Sequence, residues 1–410
     1  MVASERRRIL YLLPFAPRLD ATHGGGRVIA QLLARMVERH DLALLYMRAP
    51  NEPPIDQALA MRCAVAEEVM RPGVGETQRE RWLRRIQLAG GFARGRPMQV
   101  TDWQSTVFAS RLRKLLKHWQ PDIIQIEYHM MAQYAVLCTH SLAPCVLTEY
   151  EPGVAAAQER LAEQQRPSLT TMLDTHAWRQ FEPMVLRQMQ AVVVFTERDC
   201  RALAPFVGAT PLVQIPLGVP LPALPLNALG VSPVRLLFVG SFIHGPNEDA
   251  ARRLIQDIFP RVQAACPEAT LVIVGDQPPA DLRALANKHV IITGRVPDVT
   301  PFLDEAALVV VPLRLGGGMR VKVLEALAAG KAVVASPLAV EGLAVTTGQH
   351  VVLADSDEAF AAAILQLLAA PEQRATIASQ ARAWALANLD WDKPVAAYEA
   401  LHQQILASCK

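Results

Sequence analysis

Long hydrophobic runs are missing from this sequence. No apolar stretch reaches the roughly 18 residues that a membrane-spanning helix needs, and Pro14 interrupts the short apolar run behind the basic start MVASERRRILYLLPFAP. A secretory signal peptide would continue that run. Cysteine is also scarce, and the 6 cysteines show no C-x-x-C pair and no zinc-like spacing, which is typical of reduced thiols. These absences predict a cytoplasmic protein.

The sequence has no large excess of positive or negative charge. The 41 Lys and Arg residues and the 39 Asp and Glu residues give a net charge of +2, which argues against a general nucleic-acid binder. No acidic cluster or His/Cys spacing suits Mg²⁺ or Zn²⁺, and the Asp-Ser-Asp at 355–357 has the pattern of a helix N-cap. The sequence therefore predicts neither a metal nor a cofactor.

The 410 residues, of which 51% are hydrophobic, suffice for two folded domains. Short apolar runs alternate with amphipathic helical patterns, which indicates parallel sheets flanked by helices. Predicted strands in the first half are 8–14, 41–47, 121–128, 143–150 and 191–197. Those in the second half are 234–240, 269–275, 290–296, 306–313 and 331–337. Predicted helices include 27–40, 247–266 with a break at Pro260, 357–369, 371–388 and 393–407.

The prolines between residues 215 and 234 forbid both a helix and a central strand. We therefore predict an α/β protein of two doubly wound Rossmann-like domains, 1–215 and 234–385, joined by a Pro-rich linker at 216–233. In such open sheets, ligands bind at the carboxyl ends of the strands.

Glycines follow predicted strands at three places: THGGGRV (22–28), VGSFIHGPNED (239–249) and LRLGGGM (313–319). A strand, a Gly-rich turn and a helix start together form an anion site, because the backbone approaches closely and free amides point at the ligand. None matches the dinucleotide or P-loop motif. A tight turn explains any one loop better, whereas three loops together favour a phosphate-bearing ligand.

The third loop leads into a predicted helix with Arg320 and Lys322 in its first turn. Cations are unfavourable there because of the helix dipole, and a bound anion would offset the repulsion. Glu325 could accept two hydrogen bonds from the hydroxyls of a ribose. The alternative is a surface pair between Lys322 and Glu325, which are three residues apart.

The segment GGGMRVKVLEALAAGKAVVASPLAVEGL (316–343) resembles the donor-site signature of the family-4 retaining glycosyltransferases, which have the GT-B fold. It is most similar to the subgroup associated with bacterial exopolysaccharide clusters. That pattern, G-x-R-x-K-x-x-E, is matched by Gly318, Arg320, Lys322 and Glu325. The resemblance implies two domains facing across a cleft, with a helix at 386–410 that crosses back to the first domain.

The resemblance also implies a UDP- or GDP-sugar donor. Glu325 would bind the ribose, Arg320 and Lys322 the diphosphate, and the backbone of Arg295 and Val296 the base. The other donor-binding residues would be Gly24, Gly25, Gly26, Gly240, Asn247, Gly317 and Gly318. One departure is Gly317, which stands where the family usually has a second glutamate.

Two features of the first half concern the acceptor. Glu127, near the end of the strand 121–128, and His129, directly after it, could contact the acceptor or the sugar as catalytic residues. The alternative is a capped strand end with a solvated His129. Residues 79–97 hold six arginines among apolar residues, which fits a peripheral contact with an anionic membrane, the inner face of the cell membrane. A solvated helix is the alternative there.

The predicted function is metal-independent transfer of a hexosyl or related sugar, with retention, to a glycan or lipid-linked acceptor in cell-surface polysaccharide synthesis. Two alternatives stay open. One is a nucleotide-sugar epimerase on the same fold, and the other is a GT-B relative that binds without turnover, for which Gly317 is the best argument.

Overall fold

The structure is a computed structural model that describes residues 6–21, 24–50, 52–71, 78–139, 141–162, 166–316 and 320–408. The chain divides into two compact units. The first unit comprises Met1–Pro216 and Pro394–Lys410, and the second comprises Leu217–Lys393. Each unit packs its own cluster of buried apolar side chains around its own sheet.

The first unit contains a parallel sheet of seven strands. The strands are β1 (Arg8–Leu13), β2 (Asp41–Arg48), β3 (Val65–Met70), β4 (Ile123–Glu127), β5 (Cys145–Thr148), β6 (Ala191–Val194) and β7 (Leu212–Gln214). Its first nine helices are α1 (Gly24–Arg39), α2 (Gln57–Ala60), α3 (Gln78–Phe92), α4 (Met98–Asp102), α5 (Thr106–His118), α6 (Ala135–Cys138), α7 (Gly153–Ala162), α8 (Leu169–Leu186) and α9 (Glu197–Val207). A 3₁₀ turn occupies Met131–Tyr134.

The second unit contains a parallel sheet of six strands. The strands are β8 (Arg235–Val239), β9 (Thr270–Val274), β10 (Val290–Gly294), β11 (Leu308–Val311), β12 (Val333–Ala335) and β13 (Val352–Leu353). The helices are α10 (Gly245–Arg253), α11 (Phe259–Ala265), α12 (Ala280–Arg283), α13 (Thr300–Glu305), α14 (Val321–Ala328), α15 (Asp357–Ala369) and α16 (Pro371–Asn388). A 3₁₀ turn occupies Pro337–Val340.

The strand orders are β3-β2-β1-β4-β5-β6-β7 and β10-β9-β8-β11-β12-β13. Both are doubly wound, as the alternation of elements predicts. In each sheet the order reverses between the first and the fourth strand of the unit, β1 and β4 or β8 and β11. Ligands of such sheets bind in the crevice where the order reverses, beyond the carboxyl ends of those strands.

The last helix, α17 (Asp392–Ser408), supplies polar contacts within the first unit. The Tyr398 hydroxyl lies 3.1 Å from Thr148 Oγ1, and His402 Nε2 lies 3.2 Å from Gln125 Oε1. All four side chains are buried. The helix therefore completes the interior of a unit whose other residues come from the start of the chain.

The segment expected as a linker, 216–233, lies from Leu217 onwards in the second unit. Its backbone carbonyls accept hydrogen bonds from three buried cations: Lys331 to Asn227, Arg374 to Leu229 at 3.3 Å, and Arg382 to Pro222 at 2.6 Å. The prolines do exclude a helix and a strand here, but the three cations fasten the segment to the unit.

Three strands escape prediction from the sequence. Strand β3 carries Glu67 and Glu68 at its centre, while β7 and β13 have only three and two residues. The predicted break at Pro260 is a π-helical stretch, Leu254–Ile258, directly before α11. None of the helices in the described ranges is both long and apolar enough to span a bilayer.

Candidate functional site

The crevice of the second unit is formed by the residues after β8 and β11. Gly240 directly follows β8, Asn247 lies in the first turn of α10, and Lys322 lies in the first turn of α14. A Cβ atom on Gly240 would lie 2.9 Å from Asn247 Cγ and 3.1 Å from Lys322 Nζ. Only glycine therefore fits here without displacing a neighbour, and the fold brings three predicted donor-site residues together.

Lys322 is held in place from two sides. Its ammonium group donates a hydrogen bond to Asn247 Oδ1 and lies 4.6 Å from the ring centroid of Phe238. The Asn247 amide in turn donates to the carbonyl of Ser241 at 2.7 Å. The pKa of Lys322 is lowered to about 7, chiefly by burial and then by the Arg320 charge, while Glu325 acts in the opposite direction. Near neutral pH this base is ready to take up a proton when an anion approaches.

Arg320 is the N-cap residue of α14, one position before the helix begins. Its Nη2 donates to the carbonyl of Gly316 at 2.6 Å. The first turn of α14 contains no acidic residue, so the positive end of the helix dipole and both cations act in the same direction. Gly317 and Gly318 lie outside the described residues.

Glu325 is half-buried in the middle of α14, between buried apolar residues. The buried face of this helix consists of Val323, Leu324, Ala326, Leu327 and Ala328. Val321, the first residue of the helix, is half-buried.

Arg295 and Val296 follow β10, at the edge of the same sheet. Arg295 is exposed, and Val296 packs against the core. Gly275, directly after β9, is a further residue of this crevice that no sequence motif indicates. A Cβ atom there would lie 1.7 Å from the carbonyl oxygen of Gly240, so Gly275 permits the close approach of the loop that carries Gly240.

The crevice of the first unit is filled by aromatic rings. Helix α1 begins at Gly24, so the three glycines form its first turn instead of a loop. The hydroxyl of Tyr128, directly after β4, would lie 1.8 Å from a Cβ atom on Gly25. Tyr128 has a φ of 69°, rare for a non-glycine residue, and its ring stacks on Tyr150 at 4.0 Å. The tyrosine therefore occupies the place in front of the α1 glycines.

Glu127 is fully buried at the carboxyl end of β4. Tyr150 donates a hydrogen bond to Glu127 Oε2 at 2.9 Å, and Oε1 has no partner among the described residues. Burial raises the pKa of Glu127 to about 8, against the opposing effect of hydrogen bonds from Tyr150, Gln125 and Thr148. The carboxyl group is therefore protonated near pH 7.

His129 is 4% exposed, so the alternative of a solvated histidine is wrong. Its Nδ1 lies 2.8 Å from Glu149 Oε1, its Nε2 lies 3.2 Å from Gln99 Oε1, and its ring meets Trp178 edge-on at 4.6 Å. Burial opposes the charged ring, but the charge and hydrogen bond of Glu149 outweigh it, and the pKa of His129 is raised. Both ring nitrogens are engaged within the unit.

Across the described ranges, no group of three His, Cys, Asp or Glu side chains is arranged to hold a metal ion. The second unit presents the two cations Lys322 and Arg320 and the positive end of the α14 dipole.

Residues 233–370 match the family model described as Glycosyl transferases group 1. Among solved structures, the chain is similar to a sucrose-phosphate synthase from Thermosynechococcus elongatus, with a TM-score of 0.73, 19% identity, and 98% and 100% of the two chains covered. The fold is GT-B. The Anabaena protein Alr3699/HepE in complex with UDP and glucose has a TM-score of 0.66 and 14% identity, with 97% and 99% covered.

An α,α-trehalose-phosphate synthase (UDP-forming) from Burkholderia vietnamiensis has a TM-score of 0.64 and 13% identity, with 99% of both chains covered. At these identities the likeness to solved structures establishes the GT-B fold alone. Among curated protein sequences, none matches the chain.

Proposed function

We propose that this protein is a retaining glycosyltransferase that moves a sugar from a nucleotide-sugar donor to a glycan or lipid-linked acceptor in cell-surface polysaccharide synthesis. The observation that carries the proposal is the convergence of Gly240, Asn247 and Lys322 where the strand order of the second unit reverses. The family match over residues 233–370 and the GT-B fold support transfer over epimerisation or binding alone.

The donor is a UDP- or GDP-sugar bound by the second unit. Gly240 lets the backbone approach the diphosphate, and Lys322 and Arg320 bind its oxygens. The Glu325 carboxylate accepts hydrogen bonds from the ribose hydroxyls. The backbone at Arg295 and Val296, beyond the edge strand β10, frames the base, as in the resemblance noted above.

Lys322 and Arg320 stabilise the leaving diphosphate without a metal. Negative charge on the diphosphate grows as the bond to the sugar breaks, so preorganised cations favour the transition state over the ground state. The buried position of Lys322 strengthens this effect, because the surroundings screen the charges weakly.

The first unit binds the acceptor. Glu127 is fully buried and bonded to Tyr150, so it acts on the acceptor side through that tyrosine. His129 acts through Glu149 as a positioning residue because both its nitrogens have protein partners. Helix α3, which covers the first part of 79–97, exposes Trp82, Leu83 and Ile86 to 61%, 43% and 51%. These apolar side chains among arginines support peripheral contact with an anionic membrane at the cytoplasmic face.

A donor panel tests the proposal. The purified protein is incubated with radiolabelled UDP- and GDP-sugars, with EDTA in parallel, and hydrolysis or transfer to membrane extracts is measured. We expect turnover of at least one donor that survives EDTA. Glu325→Gln should weaken donor binding about tenfold or more, since losing charged hydrogen bonds costs on the order of 1.5–3 kcal/mol. Tight binding with no release of nucleotide from any donor would show a binding protein instead.

A further inference from the structure

A half-buried arginine with no counter-ion among the described residues lies at the carboxyl edge of the first sheet. Arg71 directly follows β3, and its guanidinium carbon lies 4.2 Å from the ring centroid of Trp103. Its Nε is buried and has no hydrogen-bond partner among the described residues. A guanidinium held flat against an indole keeps the remaining N–H groups in a fixed plane, which suits an oxyanion.

Trp103 is itself fixed by two hydrogen bonds. Its indole N–H donates to the carbonyl of Pro14 at 3.1 Å, and its own carbonyl accepts from the Tyr134 hydroxyl at 2.7 Å. That hydroxyl also accepts from the backbone N–H of Ser105 at 2.8 Å. Because Pro14 directly follows β1, these bonds place the Trp103 ring, and Arg71 on it, at the ligand-binding edge of the sheet.

A second arginine, Arg96, interacts electrostatically with Tyr134, the residue that hydrogen-bonds to Trp103. Arg96 is half-buried, and its charge opposes the rise in the pKa of Tyr134 that burial causes. Like Arg71, it forms no ion pair within the part of the chain that the structure describes.

Neighbouring arginines of this unit do have carboxylate partners. Arg18 pairs with Asp20, Arg48 with Glu68, and Arg84 with Asp102, at 2.6, 2.8 and 2.7 Å. A partly buried charge without a partner is costly. Arg71 and Arg96 therefore stand out as two cations whose counter-ion would be a ligand.

We propose that Arg71, supported by Trp103 and Arg96, binds a phosphate group on the acceptor. This inference rests on the proposed function, since it names the chemical class of the acceptor. The strand order places Arg71 beyond β3 and Glu127 beyond β4, on opposite sides of β1. An acceptor with a phosphate at one end and a reacting hydroxyl at the other fits this polarity. The phosphate could belong to a soluble sugar phosphate or to a lipid phosphate.

Calorimetric titration with glucose 6-phosphate, and with glucose as the neutral probe, tests the soluble source. A Lys322→Ala background removes the phosphate affinity of the second unit. We expect glucose 6-phosphate to bind at least tenfold more tightly than glucose, and Arg71→Gln to abolish that preference, because bidentate charged hydrogen bonds are lost. Arg111→Gln is the matched control, since Arg111 pairs with Glu67 of β3 at 3.0 Å, and it should change the affinity less than twofold.

Co-sedimentation with phosphatidylcholine vesicles, with and without a polyprenyl phosphate, tests the lipid source. Binding that requires both the polyprenyl phosphate and Arg71 assigns the lipid, and Arg71-dependent binding of glucose 6-phosphate alone assigns the sugar phosphate. If Arg71→Gln misfolds by circular dichroism, Arg71→Lys, which loses the planar fork, takes its place. The inference is overturned if the variant binds phosphate as tightly as the wild type. It is also overturned if the wild type binds neither glucose 6-phosphate nor the polyprenyl phosphate.

To separate this inference from the proposed function, the affinity for UDP is measured in the Arg71→Gln variant with Lys322 intact. We expect it to equal that of the wild type. A wild-type protein that turns over no donor, yet recognises phosphate through Arg71, would refute the proposed transfer while leaving the phosphate site in place.

Discussion

Where the strand order reverses, the first unit places Glu127 at the end of β4 and Tyr128 directly after it, and the second unit places Lys322 after β11. Burial removes the charge of both titratable groups. The pKa of Glu127 is raised to about 8, so this carboxyl group keeps its proton at neutral pH. The pKa of Lys322 is lowered to about 7, so above that pH most Lys322 amino groups have lost the proton that carries the charge.

The same topology thus prepares two crevices for different ligands. An anion that reaches Lys322 restores its charge and is bound by it. The Glu127 carboxyl group is instead fully buried and accepts a hydrogen bond from Tyr150. The fold sets the place of each crevice, and a few side chains decide what it binds.

The largest effect should come from removing the cation of the second unit. We expect Lys322→Met to lower turnover of the nucleotide-sugar by about 10²–10³-fold, as the loss of one preorganised charge-stabilising donor does elsewhere. Steady-state kinetics with the best donor measures this. Lys288→Met, at an exposed lysine of the same unit, is the control and should leave the rate intact. An unchanged rate in Lys322→Met would show that residues other than Lys322 stabilise the leaving diphosphate.

A steric test addresses the first unit. Gly25→Ala would place a methyl group 1.8 Å from the Tyr128 hydroxyl, and such overpacking costs on the order of 1–3 kcal/mol of unfolding free energy. Tyr128→Phe in the same chain should recover much of the loss, because it removes the clashing oxygen. Urea unfolding measures both variants.

Gly245→Ala is the matched control for this test. Gly245 also lies in the first turn of a helix, but no atom lies within 4 Å of its Cβ position. That variant should unfold like the wild type. Equal stability of the Gly25 and Gly245 variants would refute the occupation of the first crevice by Tyr128.

The protonated carboxyl group of Glu127 predicts a pH-dependent stability. The folded protein keeps this proton up to about pH 8, whereas the unfolded chain loses it near the ordinary value of 4.5. Folding therefore binds a proton between these limits, and the contribution of this group to stability falls as the pH rises through them. Glu127→Gln should remove that dependence. The difference in unfolding free energy, variant minus wild type, should then increase from pH 5 to pH 8, and a constant difference would contradict the assignment.

The smallest effect is a proton taken up when nucleotide binds. The pKa of Lys322 is near 7 in the empty protein, and a bound diphosphate raises it. At pH 8, UDP binding should therefore take up a fraction of a proton approaching one, and at pH 6 almost none. Calorimetry in two buffers of different ionisation enthalpy measures the uptake. Binding enthalpies that do not depend on the buffer at pH 8, or uptake that persists in Lys322→Ala, would contradict this.

The sequence predicts most of the architecture because central parallel strands are continuous apolar runs, and ten of these runs were identified. It misses β3, whose two central glutamates are tolerated at the edge of a sheet. It also misplaces the start of α1, because three glycines suggest a loop.

The candidate sites were only partly accessible from the sequence. The spacing of Arg320, Lys322 and Glu325 is visible because all three lie on one helix. Asn247 and Lys322 are 75 positions apart, and Arg71 and Trp103 are separated by unrelated residues. No local pattern connects such pairs, which meet only because parallel strands end at the same edge. The burial of His129 was equally inaccessible, since it depends on Trp178 and Glu149.

The second unit is inserted within the sequence of the first, since Pro394–Lys410 returns to the first unit. On the ribosome, Lys393 therefore emerges before Tyr398 and His402, which contact Thr148 and Gln125. The first unit cannot complete its interior until Tyr398 and His402 have been made, although most of this unit is made before the second. A nascent chain halted once Lys393 has left the exit tunnel should resist protease within 217–393 and be cut within 1–216. We therefore expect the second unit to become protected before the first, the opposite of the usual order in which the N-terminal domain folds first.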